Sequence, residues 1–323
     1  MNIQPSPYCI RGHELEEQGQ LRPVRLAGQR HSQGHEQVRS LASGLLLQPL
    51  REHFQIAVRL LVGADCSRKK FGARGCDDAL LFRTHRLELD DQSLREWDAV
   101  VLASGPDGIV LDSSAFYPGG GGQPPDHGVL LWGGVQTRIV GARKGDDLYL
   151  IPAGDDPLPP AGTAVRGAVE DERRTALMRT HTALHVLGGV VFRDFGALVT
   201  GGNMEQLTAR MDFNLTEVPP GFRDAVEAAC NAELAADRRI DVRVLPRDQA
   251  FAIPDIIRTA TNLVPAEVKE VRIIDIVGLD QQADGGTHVA STRQVGGIGV
   301  VKIENKGKGF RRVRIQVTDR APS

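Results

Sequence analysis

"ADGGTHVAST", residues 283–292, sets an Asp and a His four positions apart, Asp284 and His288, with two glycines between them. A backbone this permissive can curl until both side chains face one point. Far upstream, "RTHTALHVLG" (179–188) carries two more histidines at the same spacing, His181 and His185. On a helix, residues four apart share a face, with Cβ atoms about 5–6 Å apart. Leu177, Leu184 and Leu187 fall beside them at helical spacing, so residues 171–193 are expected to form a helix. Together the two stretches supply three histidines and a carboxylate, a donor set suited to zinc. The expected arrangement is a helix laid against a glycine-rich turn, meeting around one metal ion that marks an active site.

Other local readings compete with this one. "HTALH" has Thr182 and no Glu after its first His, so the metalloprotease signature is absent. Taken alone, "DGGTH" also suits a simple turn capped by Asp284. A second pair of the same spacing, His31 and His35 in "HSQGHEQ", lies in a polar stretch without an apolar face and is not expected to bind metal.

Outward from the histidines, the chain changes character twice. Upstream, "WDAVVLAS", "GIVLDSSAFY", "GVLLWGG", "VQTRIVGARKG" and "DLYLIPAG" are short apolar runs split by turns. That rhythm predicts a small β-barrel over about 95–168, with "GDDPLPPAGT" a hinge near its end. Downstream, "LTARMDFNL", "DVRVLP", "VKEVRIIDIVG" and the hairpin "GIGVVKIENKGKGFRRVRIQV" are expected as strands, and "PPGFRDAVEAACNAELAADRR" as an amphipathic helix. Mixed helices and strands over about 169–320 predict an α+β domain.

Residues 1–78 are different again. Eight Gln and 11 Lys and Arg against 8 Asp and Glu occur there with little periodicity. This segment is expected to be a poorly ordered extension, or foreign to the natural protein. No other Met follows Met1 until Met178, so a later natural start would need a non-ATG codon.

The net charge of −2 excludes a generally basic nucleic-acid binder, so any nucleic-acid contact must come from a local patch. Four cysteines, Cys9, Cys66, Cys76 and Cys230, show no C-x-x-C spacing, which argues against a disulfide framework or a thiolate zinc site and suits a reducing cytoplasm. No apolar run approaches the ~20 residues that span a bilayer.

Two further stretches attract chemistry. "FYPGGGGQPPDHG" (116–128) has four consecutive glycines. It is either a flexible loop or a backbone that a substrate approaches closely. It is neither a P-loop nor a dinucleotide fingerprint, because no G-K-[S/T] follows and no βαβ unit surrounds it. "KIENKGKGFRRVRI" (302–315) concentrates Lys302, Lys306, Lys308, Arg311, Arg312 and Arg314. It is either a phosphate-tracking hairpin or a solvated one with edge-protecting lysines.

In this order, FYPxGGGQ, HxxxH, xGGTHV and KGKGxRR, the segments resemble the AlaX-type alanyl-tRNA editing proteins, free-standing relatives of the editing domain of alanyl-tRNA synthetase. The resemblance covers about residues 80–318. It implies a small β-barrel, within about 79–168, followed by an α/β two-layer editing domain of the threonyl/alanyl-tRNA synthetase type over 169–320. It implies hydrolysis of mischarged Ser-tRNA(Ala), and often Gly-tRNA(Ala), with bound Zn²⁺. The implied metal ligands are His181, His185, Asp284 and His288. Gln123 matches the family's glutamine and, with His181, His185 and Asp284, is expected to serve catalysis. Gly120, Gly121, Gly122, Gln123 and Thr287 are expected to wall the substrate pocket. Lys302, Lys306, Lys308, Arg311 and Arg312 are expected to hold the acceptor end of tRNA(Ala). No membrane contact is implied, the location is cytoplasmic, and both a monomer and a homodimer are compatible.

Two positions depart from the family pattern. Asp284 stands where the family has Cys, which a carboxylate can replace as a zinc ligand at about 2.0–2.2 Å. Gly119 stands where many relatives carry Thr or Ser, which leaves Ser113 or Ser114 as alternative recognisers of a serine hydroxyl. A metal-stabilised RNA-binding module without catalysis, and a zinc hydrolase of small esters, remain open at this point.

Overall fold

The structure is a computed structural model describing residues 84–262 and 264–319. The extension 1–78, with its His31/His35 pair, lies outside the described residues. All described residues belong to one compact unit. Among them, no helix is long and apolar enough to cross a membrane.

The chain enters through a short strand, β1 (His85–Arg86), and a single helical turn, α1 (Leu87–Asp90). Then comes the barrel: β2 (Glu96–Gly105), β3 (Gly108–Leu111), β5 (Gly128–Trp132), β6 (Val135–Lys144), β7 (Leu148–Pro152) and β8 (Ala164–Val169). A two-residue strand, β4 (Ser113–Ser114), pairs with β1. The barrel closes in the order β2-β3-β7-β6-β5-β8, all antiparallel. Alternation drives the closure: Trp97, Ala99 and Val101 point inward while Glu96 and Asp98 face water. Phe116, Leu130 and Leu150 are wholly buried, each worth about 1.5–3 kcal/mol relative to exposure. Gly167 faces Trp97 across β8 and β2, and a Cβ there would fall 2.4 Å from the indole. The small barrel expected from the sequence is therefore present, completed by β8, which the turn-rich sequence before it conceals.

Directly after β8 runs α2 (Asp171–Phe195). Asp171 and Glu172 suit its positive end, and it stops at Gly196 in the left-handed conformation (φ 65°), whose N–H donates to Phe192 O. Most of its middle is buried, because it is covered on several sides. One neighbour is the antiparallel sheet β14-β15-β10-β9, built from β9 (Val199–Glu205), β10 (Thr208–Phe213), β14 (Gly297–Asn305) and β15 (Arg311–Thr318). The helix α3 (Phe222–Ala235) packs beside it, and Val186, Val190, Phe213, Val226 and Val313 share one core. A second antiparallel sheet follows the order β11-β12-β13, with β11 (Ile240–Pro246), β12 (Glu270–Ile276) and β13 (Asp280–Ala283), and a short helix, α4 (Arg247–Phe251), beside it. The chain is thus α+β, as expected.

A fully buried ion pair binds the barrel to α2. The Arg174 guanidinium donates through Nε to both Asp126 oxygens, at 3.0 and 2.9 Å, and through Nη2 to Ala115 O. Asp126 also accepts from Tyr117 N–H at 2.7 Å. The loop 116–126 is thereby held against the helix that carries the histidines.

Candidate metal centre

His181 and His185 sit on consecutive turns of α2, and their rings lie 5.1 Å apart. Asp284 follows β13 directly; its N–H donates to Arg272 O at 3.1 Å, so the β12–β13 register fixes where the acid stands. Its Oδ2 accepts from Gly286 N–H at 2.6 Å, and this curl brings His288 round. The His288 ring stacks 4.4 Å from that of His181. Ligand atoms of His181, His185, Asp284 and His288 all lie within 4.8 Å of one another. Only glycine serves at position 286, where a Cβ would fall 2.2 Å from His181 Cε1 and 2.8 Å from Gln123 Oε1.

The second nitrogen of each ring is directed away from this cluster. Thr287 N–H donates to Gln123 Oε1 at 3.0 Å, and Gln123 Nε2 donates to Thr287 Oγ1 at 2.8 Å, which fixes the amide orientation. Oε1 therefore accepts from Nδ1–H of His181 at 3.0 Å, leaving the Nε2 lone pair for a metal. His288 Nδ1 lies 3.2 Å from Thr182 Oγ1, and its Nε2 faces Asp284 Oδ2 at 3.1 Å. His185 Nδ1 faces Asp280 Oδ2 at 3.9 Å, and Asp280 is in turn held by Arg258 Nε at 2.9 Å. Such outer partners orient ligating imidazoles and tune their basicity.

Burial pushes the His181 imidazole down to about 4 and lowers His288 as well, so both are neutral at neutral pH, the form that binds metal. For Asp284 burial favours the neutral acid, but the charge that the histidines take up in acid, with the His288 hydrogen bond, outweighs it and holds the carboxyl well below its ordinary range. Three imidazoles and one carboxylate, with outer partners beside the ring nitrogens, form a donor set that fits zinc.

The four-glycine loop closes over this cluster. Gly120 and Gln123 form a tight backbone bridge, and positions 119–122 all have positive φ. A Cβ on Gly121 would sit 3.8 Å from Asp284 Oδ1, and Met204 N–H of β9 donates to Gly122 O at 3.2 Å. Gly121, Gln123 and Thr287 thus lie beside the cluster, whereas Gly120 meets Tyr117 and Gly122 meets β9. Ser113 and Ser114 do not: Ser113 Oγ donates to Asp112 Oδ1, and Ser114 Oγ accepts from Phe116 N–H.

The basic hairpin is the tip of β14 and β15. Its cations are unequal. Arg312 is paired with Asp212 through two bonds of 2.7 and 2.8 Å, Arg314 is paired with Glu304, and Lys302 lies 3.0 Å from the same Glu304. Arg311 donates to Thr216 O and Phe310 O. Lys306 and Lys308 are exposed and form no ion pair among the described residues.

Several site residues escape a reading of the sequence: Thr182, Asp280, Gln92, whose Oε1 accepts from His288 N–H at 2.6 Å, and the Arg174–Asp126 pair. Only Arg174 left a signal, a charge seven positions before His181 and so on the same buried helix face.

The family model described as "Threonyl and Alanyl tRNA synthetase second additional domain" matches residues 271–314, from β12 through the hairpin. The alanyl-tRNA editing protein AlaX-M of Saccharolobus solfataricus is 35% identical, over 71% of this chain and 97% of its own. The AlaX-M of Methanosarcina acetivorans is 33% identical over 71% and 97%. The alanine–tRNA ligase of Pyrobaculum neutrophilum is 34% identical over 70% of this chain but 26% of its own length, so the similarity is to one part of that protein. With barrel, helix and four-ligand cluster arranged in the order of the sequence motifs, the chain belongs to the AlaX family of alanyl-tRNA editing proteins.

Proposed function

We propose that this protein hydrolyses the ester bond of mischarged Ser-tRNA(Ala), and of Gly-tRNA(Ala), with Zn²⁺ held by His181, His185, Asp284 and His288. As a member of an editing family the chain is an aminoacyl-tRNA deacylase, an ester hydrolase. The observation that carries the finer reading is the convergence of four ligand atoms within 4.8 Å beneath the glycine loop.

The ester is already activated, so the site needs to position water and stabilise the developing oxyanion. When bound, zinc supplies a Lewis acid that polarises the reacting oxygen. Gln123 holds the proton on Nδ1 of His181 and so keeps Nε2 free. Thr182 Oγ1, 3.2 Å from Nδ1, orients the His288 ring. The N–H groups of Gly121 and Gly122 have no acceptor among the described residues and are available to the carbonyl oxygen of the substrate. Tyr117 donates its O–H to Gly120 O at 3.0 Å; burial, then the nearby Asp284, raise its pKa, so the phenol stays protonated and braces the loop.

Serine exceeds alanine by a hydroxyl, so size alone would favour alanine, and preference for serine requires a hydrogen bond to that hydroxyl. Thr287 Oγ1 accepts from Gln123 Nε2, which leaves its own O–H to donate to a seryl side chain. Lys306 and Lys308 supply exposed charge for the acceptor stem, and the tRNA substrate places the reaction in the cytoplasm.

The test is single-turnover deacylation of Ser-tRNA(Ala) by His181→Ala. The reading requires loss of at least a hundredfold with the fold retained by circular dichroism. Undiminished deacylation by a folded variant would refute it.

A further inference from the structure

Arg272, on β12, is half spent. Its Nη1 donates to the carbonyls of Asp284 (3.0 Å) and Gly286 (2.9 Å), which brace the turn carrying two of the metal ligands. The opposite edge, Nε and Nη2, is buried and has no acceptor among the described residues. Leaving such donors unmatched is costly, and that edge is the one that grips a phosphate or carboxylate through two parallel bonds.

The surroundings narrow the occupant. Arg86 and Glu88, from the segment leading into the barrel, lie close enough to act on the Arg272 charge, as do Asp284 and Tyr117. Glu88 spends Oε1 on Arg86, while its Oε2 is buried and also unpartnered among the described residues. Lys144, exposed at the end of β6, is close enough to Arg86, Glu88 and Asp284 to add positive charge to these surroundings. A simple oxyanion would match only the Arg272 edge. A nucleotide offers phosphate oxygens for Arg272 and, in addition, hydroxyl or amino donors for Glu88 Oε2.

We propose that Nε and Nη2 of Arg272 receive the phosphodiester on the 5′ side of the terminal nucleotide, whose ribose bears the scissile ester. This rests on the deacylase reading above and deepens it. The contact would register the 3′ end against the metal ligands through one turn, because the guanidinium that holds the phosphate also holds the backbone of Asp284 and Gly286. It would be sequence-independent, as phosphate contacts are.

The experiment compares two short substrates, the 3′-seryl ester of adenosine 5′-monophosphate and the 3′-seryl ester of adenosine, with wild-type protein and Arg272→Gln. The readout is the ratio of the two kcat/KM values. The wild type should favour the phosphorylated ester about tenfold or more, and the variant should treat both alike. A purely bracing role for Arg272 lowers both rates and leaves the ratio unchanged, which would overturn the proposal, as would a wild-type ratio near one. If the wild type deacylates full-length Ser-tRNA(Ala) but neither short ester, inhibition by adenosine 5′-monophosphate and by adenosine gives the same contrast. Stronger inhibition by the phosphorylated nucleoside, lost in Arg272→Gln, supports the proposal; equal inhibition of the wild type overturns it. If the wild type deacylates no aminoacyl-tRNA at all, the functional reading itself has failed and this inference fails with it.

Discussion

Gln123 Oε1 lies 3.0 Å from His181 Nδ1, joining the end of a barrel loop to the middle of the editing-domain helix. The same oxygen accepts from Thr287 N–H, so one carboxamide fixes a ligand tautomer and the glycine turn together.

Replacing Gln123 with Leu keeps the bulk and removes that acceptor. Zinc affinity should fall about 10–100-fold, the usual cost of losing an outer partner of a ligating histidine. Competition with a chromophoric chelator measures it. Unchanged affinity would remove Gln123 from the metal's support and leave it a substrate contact alone.

Gly286→Ala should be more damaging than its single methyl suggests. The new Cβ would meet His181 at 2.2 Å and Gln123 at 2.8 Å. Zinc stoichiometry after dialysis should drop well below one per chain while circular dichroism stays native. Full stoichiometry would mean that the turn and the histidine are not packed as described.

Arg174→Met leaves the Asp126 carboxylate buried and unpaired, a loss of about 3–5 kcal/mol. Denaturant unfolding of the chelator-treated protein should show it. Adding Asp126→Leu should recover much of the loss, because a well-packed apolar pair can replace a buried ion pair. A double variant as unstable as the sum of two singles would contradict this coupling.

Acid should destabilise the metal-free protein before its carboxylates titrate. The folded pKa of His181 is depressed to about 4 by burial, and that of His288 is depressed too. An unfolded histidine titrates near 6.5. Below about 6.5 the unfolded chain therefore binds protons that the folded chain refuses, and stability falls as pH drops from about 6.5 towards 4. Thermal unfolding in chelator across that window should show a falling Tm, and His181→Gln should flatten the slope. A flat profile in the parent protein would contradict the burial of these rings as neutral groups.

The four-residue cluster was legible in the sequence because each pair is local: His181/His185 share a helix face and Asp284/His288 share one turn. Their outer partners were not, since Thr182–His288 and His185–Asp280 are joined only by the tertiary fold. β9, "VTGGNME", hid because two glycines interrupt its alternation; they line the strand where the 119–122 loop packs, and a Cβ on Gly122 would fall 3.3 Å from Gly202 O. β13, "DQQA", is polar and short, and exists because β12 offers it an edge. The basic hairpin was visible as a count of charges, but counting cannot see that Asp212 and Glu304 occupy Arg312 and Arg314.

The most direct test is deacylation of Ser-tRNA(Ala), with Ala-tRNA(Ala) alongside, by metal-stripped protein and by the same protein reloaded with zinc. The account predicts rapid loss of serine but not alanine, absent in the stripped protein and restored by zinc. Equal deacylation of Ser-tRNA(Ala) by verified metal-free protein would contradict it.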